Sequence, residues 1–207
     1  MDDNDRDIAA ILALQETASA DPRTWAPDDY IYYDALSEEV RTLLHDLAPF
    51  VKYIERDGKW TLSAYEWLEA YRVATGTLYE RMRVRSLEKS VTGPSDADLH
   101  DAPHLTHWLT VRDNGNRDAA LVGLVTRHPI LSTHWIRTSR LCGIDPEGCW
   151  ARTNSRWYVL DTPSTPKDIA SLLGDCAHGI SAVALPLHEA LSRTYREQAD
   201  EGFRDEG

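Results

Sequence analysis

Arginine and aromatic side chains alternate through positions 135–158, and their types and spacing could do chemistry. The set consists of Trp135, Arg137, Arg140, Trp150, Arg152, Arg156, Trp157 and Tyr158. Aromatic rings stack on nucleobases and guanidinium groups hold phosphates, which is how small β-barrels bind single-stranded nucleic acid. The alternative is that the tryptophans form a core and the arginines a polar face. Strand alternation supports this alternative in part, since it places Trp150, Arg152 and Asn154 on one face.

We therefore expect the four arginines of this set to be largely exposed, as contacts either for nucleic acid or for a protein partner. The predicted contact residues are Arg137, Arg140, Arg152, Arg156 and Trp157.

Charge is distributed unevenly along the chain. The formal net charge is −12, whereas residues 119–160 carry +3 and residues 1–60 carry −8. Such an acidic protein repels phosphate over most of its surface, which disfavours non-specific binding to DNA. The same acidity permits docking onto a basic protein, including one that normally holds nucleic acid. The predicted acidic partner surface is formed by Asp28, Asp29, Glu38 and Glu39.

Three histidines, His100, His104 and His107, lie close together in the sequence and could in principle bind zinc. On one helix, His104 and His107 would share a face. However, Pro103 breaks a local helix before them, and no cysteine is nearby in the sequence. We therefore predict solvated histidines, no metal site and no cofactor.

Three cysteines, an odd number without framework spacing, favour reduced thiols in a cytosol. Cys142 and Cys149 flank a predicted turn and are interpreted as packed or free thiols. Cys176 beside His178 or His188 could act as a nucleophile with a base, but no oxyanion loop supports this. The chain also lacks a phosphate-cradling glycine loop, so we assign no catalytic residue.

Membrane insertion and export are not expected. The longest apolar run, Ile180–Leu187, is too short to span a bilayer. The sequence begins Met-Asp-Asp-Asn-Asp. This start is acidic, whereas a signal peptide is first basic and then apolar. We predict a cytoplasmic protein with no membrane partner and make no prediction of its oligomeric state.

The elements predict an α+β protein in three regions: a helical N-terminal region over 1–92, a connector and β-rich core over 93–162, and a C-terminal helical arm over 163–207. Within the first region, Ser37 caps one helix. Capping boxes at Ser63 and Thr77 predict two further helices with a stop at Gly76. An ordinary α-hairpin is favoured there over a DNA-reading helix-turn-helix, because the second helix spreads its arginines around its axis.

The core is predicted to be a small antiparallel β-meander or partial barrel. Strands are expected over 120–127, 135–144 and 149–160, with a type I turn at Asp145–Gly148. Two C-terminal helices follow, one capped by Thr165 and one over about 187–200.

Part of this core resembles an uncharacterised bacterial family, a domain of unknown function associated with phage- and plasmid-rich genomes. The resemblance covers about residues 96–161. The matching residues are Asp101-Ala102-Pro103, Trp108, Gly123, His128-Pro129, Ile136, Thr138-Ser139, Asp145, Trp150–Thr153, Ser155–Tyr158 and Leu160. Asp161 stands where the family usually has glycine. The resemblance implies no activity, but it does imply an accessory protein of a mobile element.

These observations favour a non-enzymatic binding protein that acts on nucleic-acid machinery. It would be a mobile-element regulator or inhibitor of the anti-defence type, with an acidic surface that binds a basic protein partner. One alternative is a DNA- or RNA-binding regulator that uses the basic aromatic β-face. The other is an enzyme of unknown class.

Overall fold

A computed structural model of the chain describes residues 3–17, 30–113, 118–128, 132–173 and 182–204. The chain divides into two compact units, residues 1–82 and residues 83–207. The α+β class predicted from the sequence is confirmed. Among the described residues, no helix combines the length and the apolar character that a membrane crossing requires.

Two helices lie early in the first unit, and the second of them follows the cap predicted at Ser37. Helix α1 spans Asp3–Thr17 and helix α2 spans Glu38–Leu47. The hydroxyl of Ser37 caps α2 by accepting a hydrogen bond from the backbone N–H of Val40 at 3.2 Å. The apolar stripe of α2 is buried, so this helix packs on the core of its unit.

A small sheet in the first unit was not predicted. Strands β1 (Tyr30–Tyr32), β2 (Ile54–Arg56) and β3 (Lys59–Ser63) pair antiparallel in the order β1-β3-β2. Asp57 and Gly58 join β2 to β3, both with positive φ (51° and 74°). An Asp-Gly pair is a strong hairpin signal, and it could have identified this sheet.

Helix α3 is continuous over Ala64–Thr92, so the predicted stop at Gly76 is wrong. The Thr77 hydroxyl donates to the carbonyl of Val73 at 2.9 Å instead of capping a new helix. Buried residues continue at helical spacing through this point: Trp67, Ala70, Ala74, Leu78 and Met82. Their burial outweighs the cost of about 1 kcal/mol for a glycine inside a helix. The helix-turn-helix alternative is thereby removed.

The second unit is built on a larger, mainly antiparallel sheet. Its strands lie in the order β6-β5-β4-β9-β8-β7. They are β4 (His104–Asp113), β5 (Ala119–Thr126), β6 (His134–Arg137), β7 (Leu141–Ile144), β8 (Trp150–Thr153) and β9 (Trp157–Leu160). Because β6 and β7 are consecutive in the chain yet end the strand order, the sheet bends back on itself. The predicted run of three or more strands over 119–160 is confirmed.

The turn between β7 and β8 forms where the sequence predicts it, with the N–H of Gly148 donating to the carbonyl of Asp145 at 2.9 Å. The predicted strands over 135–144 and 149–160 are each split into two. At the break between β6 and β7, the backbone changes its hydrogen-bonding partners. The N–H of Thr138 donates to the carbonyl of Leu121 in β5, whereas the carbonyl of Arg140 accepts from the N–H of Asn154, just after β8.

Strand β4 was predicted as a connector, yet it is central in the sheet. It pairs with β5 antiparallel, with β9 parallel and with β10 (Ala182–Ala184) antiparallel. A bulge between Thr106 and Leu109, with His107 at φ 50°, shifts its register. That shift interrupts the alternation by which a strand is recognised in sequence.

Three helices complete the second unit. Helix α4 spans Asp96–His100, helix α5 spans Pro166–Leu173, and helix α6 spans Leu187–Asp200. The predicted cap of α5 is confirmed, because Thr165 and Asp168 exchange side-chain and backbone hydrogen bonds. Helix α6 begins and ends as predicted.

Candidate functional site

The four arginines predicted as contacts differ widely in exposure. Arg137 is exposed at the end of β6, whereas Arg140 and Arg156 are half-buried. Arg152 is 2% exposed, so the expectation that all four are largely exposed is wrong for this residue. The basic face is therefore smaller than the sequence indicates.

The side chain of Arg152 extends from β8 to the last turns of α3. Its Nε and Nη2 atoms donate to the hydroxyl oxygen of Ser86 at 3.2 and 3.1 Å. Ser86 in turn donates to the backbone carbonyl of Asn154 at 3.1 Å. Strand alternation places Arg152 on the correct face of β8, but only the fold reveals that α3 covers this face.

Trp157, the fifth predicted contact, is also buried. The Arg152 guanidinium lies 5.2 Å from its ring centroid, and Trp150 meets it edge to face at 5.3 Å. Stacking on a nucleobase requires an open ring face, which this packing does not provide.

Arg140 is engaged by two carboxylates. Its Nη1 atom lies 3.4 Å from Asp118 Oδ1 and its Nη2 atom lies 2.9 Å from Glu197 Oε1. These ion pairs connect the entry of β5 to α6. The positive charge of Arg140 is thus largely balanced within the protein.

The described cysteines are not placed for nucleophilic chemistry. Burial raises the pKa of the Cys142 thiol to about 12, and the charge of Glu197 acts in the same direction. The thiol of Cys149, which is exposed, donates a hydrogen bond to the Asp145 carboxylate, and this raises its pKa. Thiolates are the reactive form, so both residues are weak nucleophiles at neutral pH. Cys176 lies outside the described residues.

His104 is the best-connected of the three clustered histidines. Its Nδ1 atom lies 3.2 Å from Asp161 Oδ2 and its Nε2 atom lies 3.1 Å from Arg127 Nη1. Since a guanidinium can only donate, Nε2 accepts, and Nδ1 carries the proton that it donates to Asp161. Both ring nitrogens are thereby engaged, which leaves neither for a metal ion.

His100 is exposed, and its backbone carbonyl accepts from Arg127 at 3.4 Å. Within the described ranges, no group of three or more candidate ligands could hold a metal ion. The expectation of no stoichiometric zinc stays a prediction, which elemental analysis of protein purified without chelator can test.

A cavity of about 420 Å³ lies beside Trp150, near the C-terminal ends of α3 and α6. Gln198 lines it, and its Nε2 atom donates to Ser90 Oγ at 2.8 Å and to the Cys142 carbonyl at 3.1 Å. Its Oε1 atom is buried and has no hydrogen-bond partner among the described residues.

A second cavity of about 370 Å³ lies between the end of β4 and the exposed side of α6. The described residues that line it are Arg112, Glu189, Ser192, Arg193 and Arg196. This basic site was not predicted from the sequence. The spacing of 189, 192, 193 and 196 signals one helix face, but the addition of Arg112 depends on the fold.

The predicted acidic partner surface is described only in part. Glu38 and Glu39 are exposed in the first turn of α2. Asp28 and Asp29 lie outside the described residues. Asp34 and Asp46, which flank α2 in the sequence, are also exposed.

Comparison with known sequences identifies the family. Residues 77–187 match a family of unknown function, DUF6634, and this match covers more than half of the 207 residues. The chain therefore belongs to that family. The resemblance to a family of unknown function, noted over 96–161, is confirmed and extends in both directions. No curated protein and no solved structure matches the chain.

Proposed function

We propose that this member of the family is a non-enzymatic binding protein that acts on nucleic-acid machinery. The acidic residues of its first unit contact a basic surface on a protein partner. The observation that supports this proposal most strongly is the unequal charge of the two units. Residues 1–82 contain 17 acidic and 8 basic residues, for a net charge of −9.

The exposure of individual carboxylates supports this proposal. Glu38, Glu39, Asp34 and Asp46 are all exposed, so their charge acts on the surroundings. Proteins that bind nucleic acid present basic grooves, and a concentrated acidic surface is complementary to such a groove in sign. A mobile-element inhibitor of the anti-defence type would work in this way, by occupying the groove.

The alternative, a regulator that binds nucleic acid directly, has fewer available contact residues in the structure than the sequence predicts. Of the predicted basic face, Arg152 is enclosed by α3 and β8, and Arg140 is paired with two carboxylates. This alternative relies on the exposed Arg137 and the half-buried Arg156 for its phosphate contacts.

The proposal is tested by affinity purification from the native host with and without nuclease. A protein partner that is retained after nuclease treatment supports it. Glu38→Lys combined with Glu39→Lys should slow association with that partner by about tenfold at low salt and by less at high salt. Glu88→Lys with Glu147→Lys is the matched control, because both residues are exposed acids of the second unit.

Equal loss with both double variants would contradict a specific acidic surface. Tight binding of the isolated protein to an oligonucleotide at physiological salt, lost in an Arg137→Ser/Arg156→Ser variant, would instead favour the alternative.

A further inference from the structure

We propose that the second unit binds a phosphate monoester in the cavity between β4 and α6. The arginine pocket, defined as Arg112, Ser192, Arg193 and Arg196 together with Glu189, has the charge, the donors and the size for this ligand. This inference is independent of the acidic surface proposed above.

Helix α6 brings four of these side chains to one face. Residues 189, 192, 193 and 196 are spaced so that they lie on the same side of a helix. The opposite side carries Ala190, Thr194 and Gln198, which are buried. Burial of that side directs the arginine-bearing side outward.

Strand β4 contributes the fifth residue through a short connection. Arg112 pairs in register with Val183 of β10, and α6 begins four residues after Val183. Leu185 N–H donates to the carbonyl of Thr110 at 2.8 Å, which fastens the start of α6 beside β4. The Thr110 hydroxyl donates to the Leu185 carbonyl, so the side chain of Thr110 faces the start of α6. Arg112, two residues further along the strand, lies on the same face.

The charge of the pocket selects a doubly charged anion. Of the described residues that line it, three are arginines and one is an acid, for a net charge of +2. Glu189 Oε1 lies 3.2 Å from Arg193 Nη2, which orients that guanidinium along the helix. A phosphate monoester carries about −1.5 to −2 at neutral pH, whereas a phosphodiester carries about −1, so the monoester is the better match.

The donors of the pocket also fit a phosphate. A guanidinium presents a planar fork that binds phosphate oxygens in pairs. The Ser192 hydroxyl, which donates to the His188 carbonyl at 2.8 Å, can rotate to donate to an additional oxygen. The described lining contains no aromatic ring, so the pocket recognises the phosphate and not a base attached to it.

The test measures binding of four probes by calorimetry or fluorescence anisotropy: inorganic phosphate, a nucleoside monophosphate, a 5′-phosphorylated oligonucleotide and the same oligonucleotide with a 5′-hydroxyl. We expect the first three to bind and the fourth to bind at least about tenfold more weakly. Arg112→Ser combined with Arg196→Ser should weaken binding of the first three by at least about tenfold.

Arg137→Ser combined with Lys167→Ser is the matched control, since it removes two positive charges at exposed positions outside the pocket. It should retain wild-type affinity, and circular dichroism should show that both double variants are folded. No binding of phosphate by the wild type, equal losses in the two variants, or equal affinity for the two oligonucleotides would each overturn the proposal.

Discussion

At the scale of the residue, Arg152 stabilises the fold, although the sequence predicts it as a contact for a partner. Replacing it with alanine removes both bonds to Ser86 and leaves a void under α3. We expect a loss of about 2–4 kcal/mol in the free energy of unfolding, from the lost volume and the two lost hydrogen bonds. Denaturant unfolding measures this loss. The exposed Arg137→Ala control should change stability by less than about 0.5 kcal/mol. A stable Arg152→Ala protein with impaired partner binding would reverse this interpretation.

Because of Cys142, we expect the stability of the folded protein to fall with rising pH in the alkaline range. Its pKa in the folded protein is about 12, above the ordinary value of 9.0, chiefly because the thiol is buried. The native state therefore keeps a proton that the unfolded chain releases. This contribution to stability is fully present below pH 9.0 and is lost as the pH rises toward 12.

Above pH 9.0, we expect the free energy of unfolding of the wild type to fall faster than that of Cys142→Ala. The difference in slope should be up to about 1.4 kcal/mol per pH unit. The comparison cancels the titration of tyrosines, which both proteins share. Free energies of unfolding measured from about pH 8 to about pH 11 provide the test. Parallel curves for the two proteins would show that the thiol is not protected by burial.

At the scale of the element, the continuity of α3 can be tested at Gly76. This glycine is exposed in helical backbone, and an added Cβ would meet nothing within 4 Å. Gly76→Ala should therefore stabilise the protein by about 0.5–1 kcal/mol, since alanine has the higher helix propensity. If the helix ended at Gly76 in a left-handed turn, the same change would destabilise it.

Gly143→Ala is the contrasting control. At that position a Cβ would lie 2.4 Å from Ser90 Cβ, so α3 or β7 would have to shift. We expect a clear fall in the melting temperature for Gly143→Ala and a rise for Gly76→Ala. Thermal unfolding of the two variants beside the wild type measures both.

At the scale of the whole molecule, the net charge of −12 governs encounters with nucleic acid. We expect no tight binding of the isolated protein to a 5′-hydroxyl oligonucleotide at physiological salt, because most of the charge repels phosphate. Fluorescence anisotropy over a salt series measures this. A steep increase in affinity as salt is lowered would reveal a larger basic surface than Arg137 and Arg156 provide.

Features that depend on neighbours in the chain were determined by the sequence alone. The Ser37 cap, the turn at Asp145–Gly148 and the limits of α6 each rest on contacts within about four residues, so local residue types are sufficient. The α+β class follows from the same local patterns. The hairpin at Asp57-Gly58 belongs with them, since an adjacent Asp-Gly pair is a local signal for a hairpin.

Features that depend on distant residues were decided by the tertiary structure. Alternation shows which side chains share a face of β8, but only packing decides that α3 covers Arg152. The bulge at His107 conceals β4, because it breaks the period by which a strand is recognised. The arginine pocket joins Arg112 to residues about 80 positions later, and no local pattern encodes that meeting. Burial and convergence are properties of the folded chain, which is why the site could not be read from the sequence.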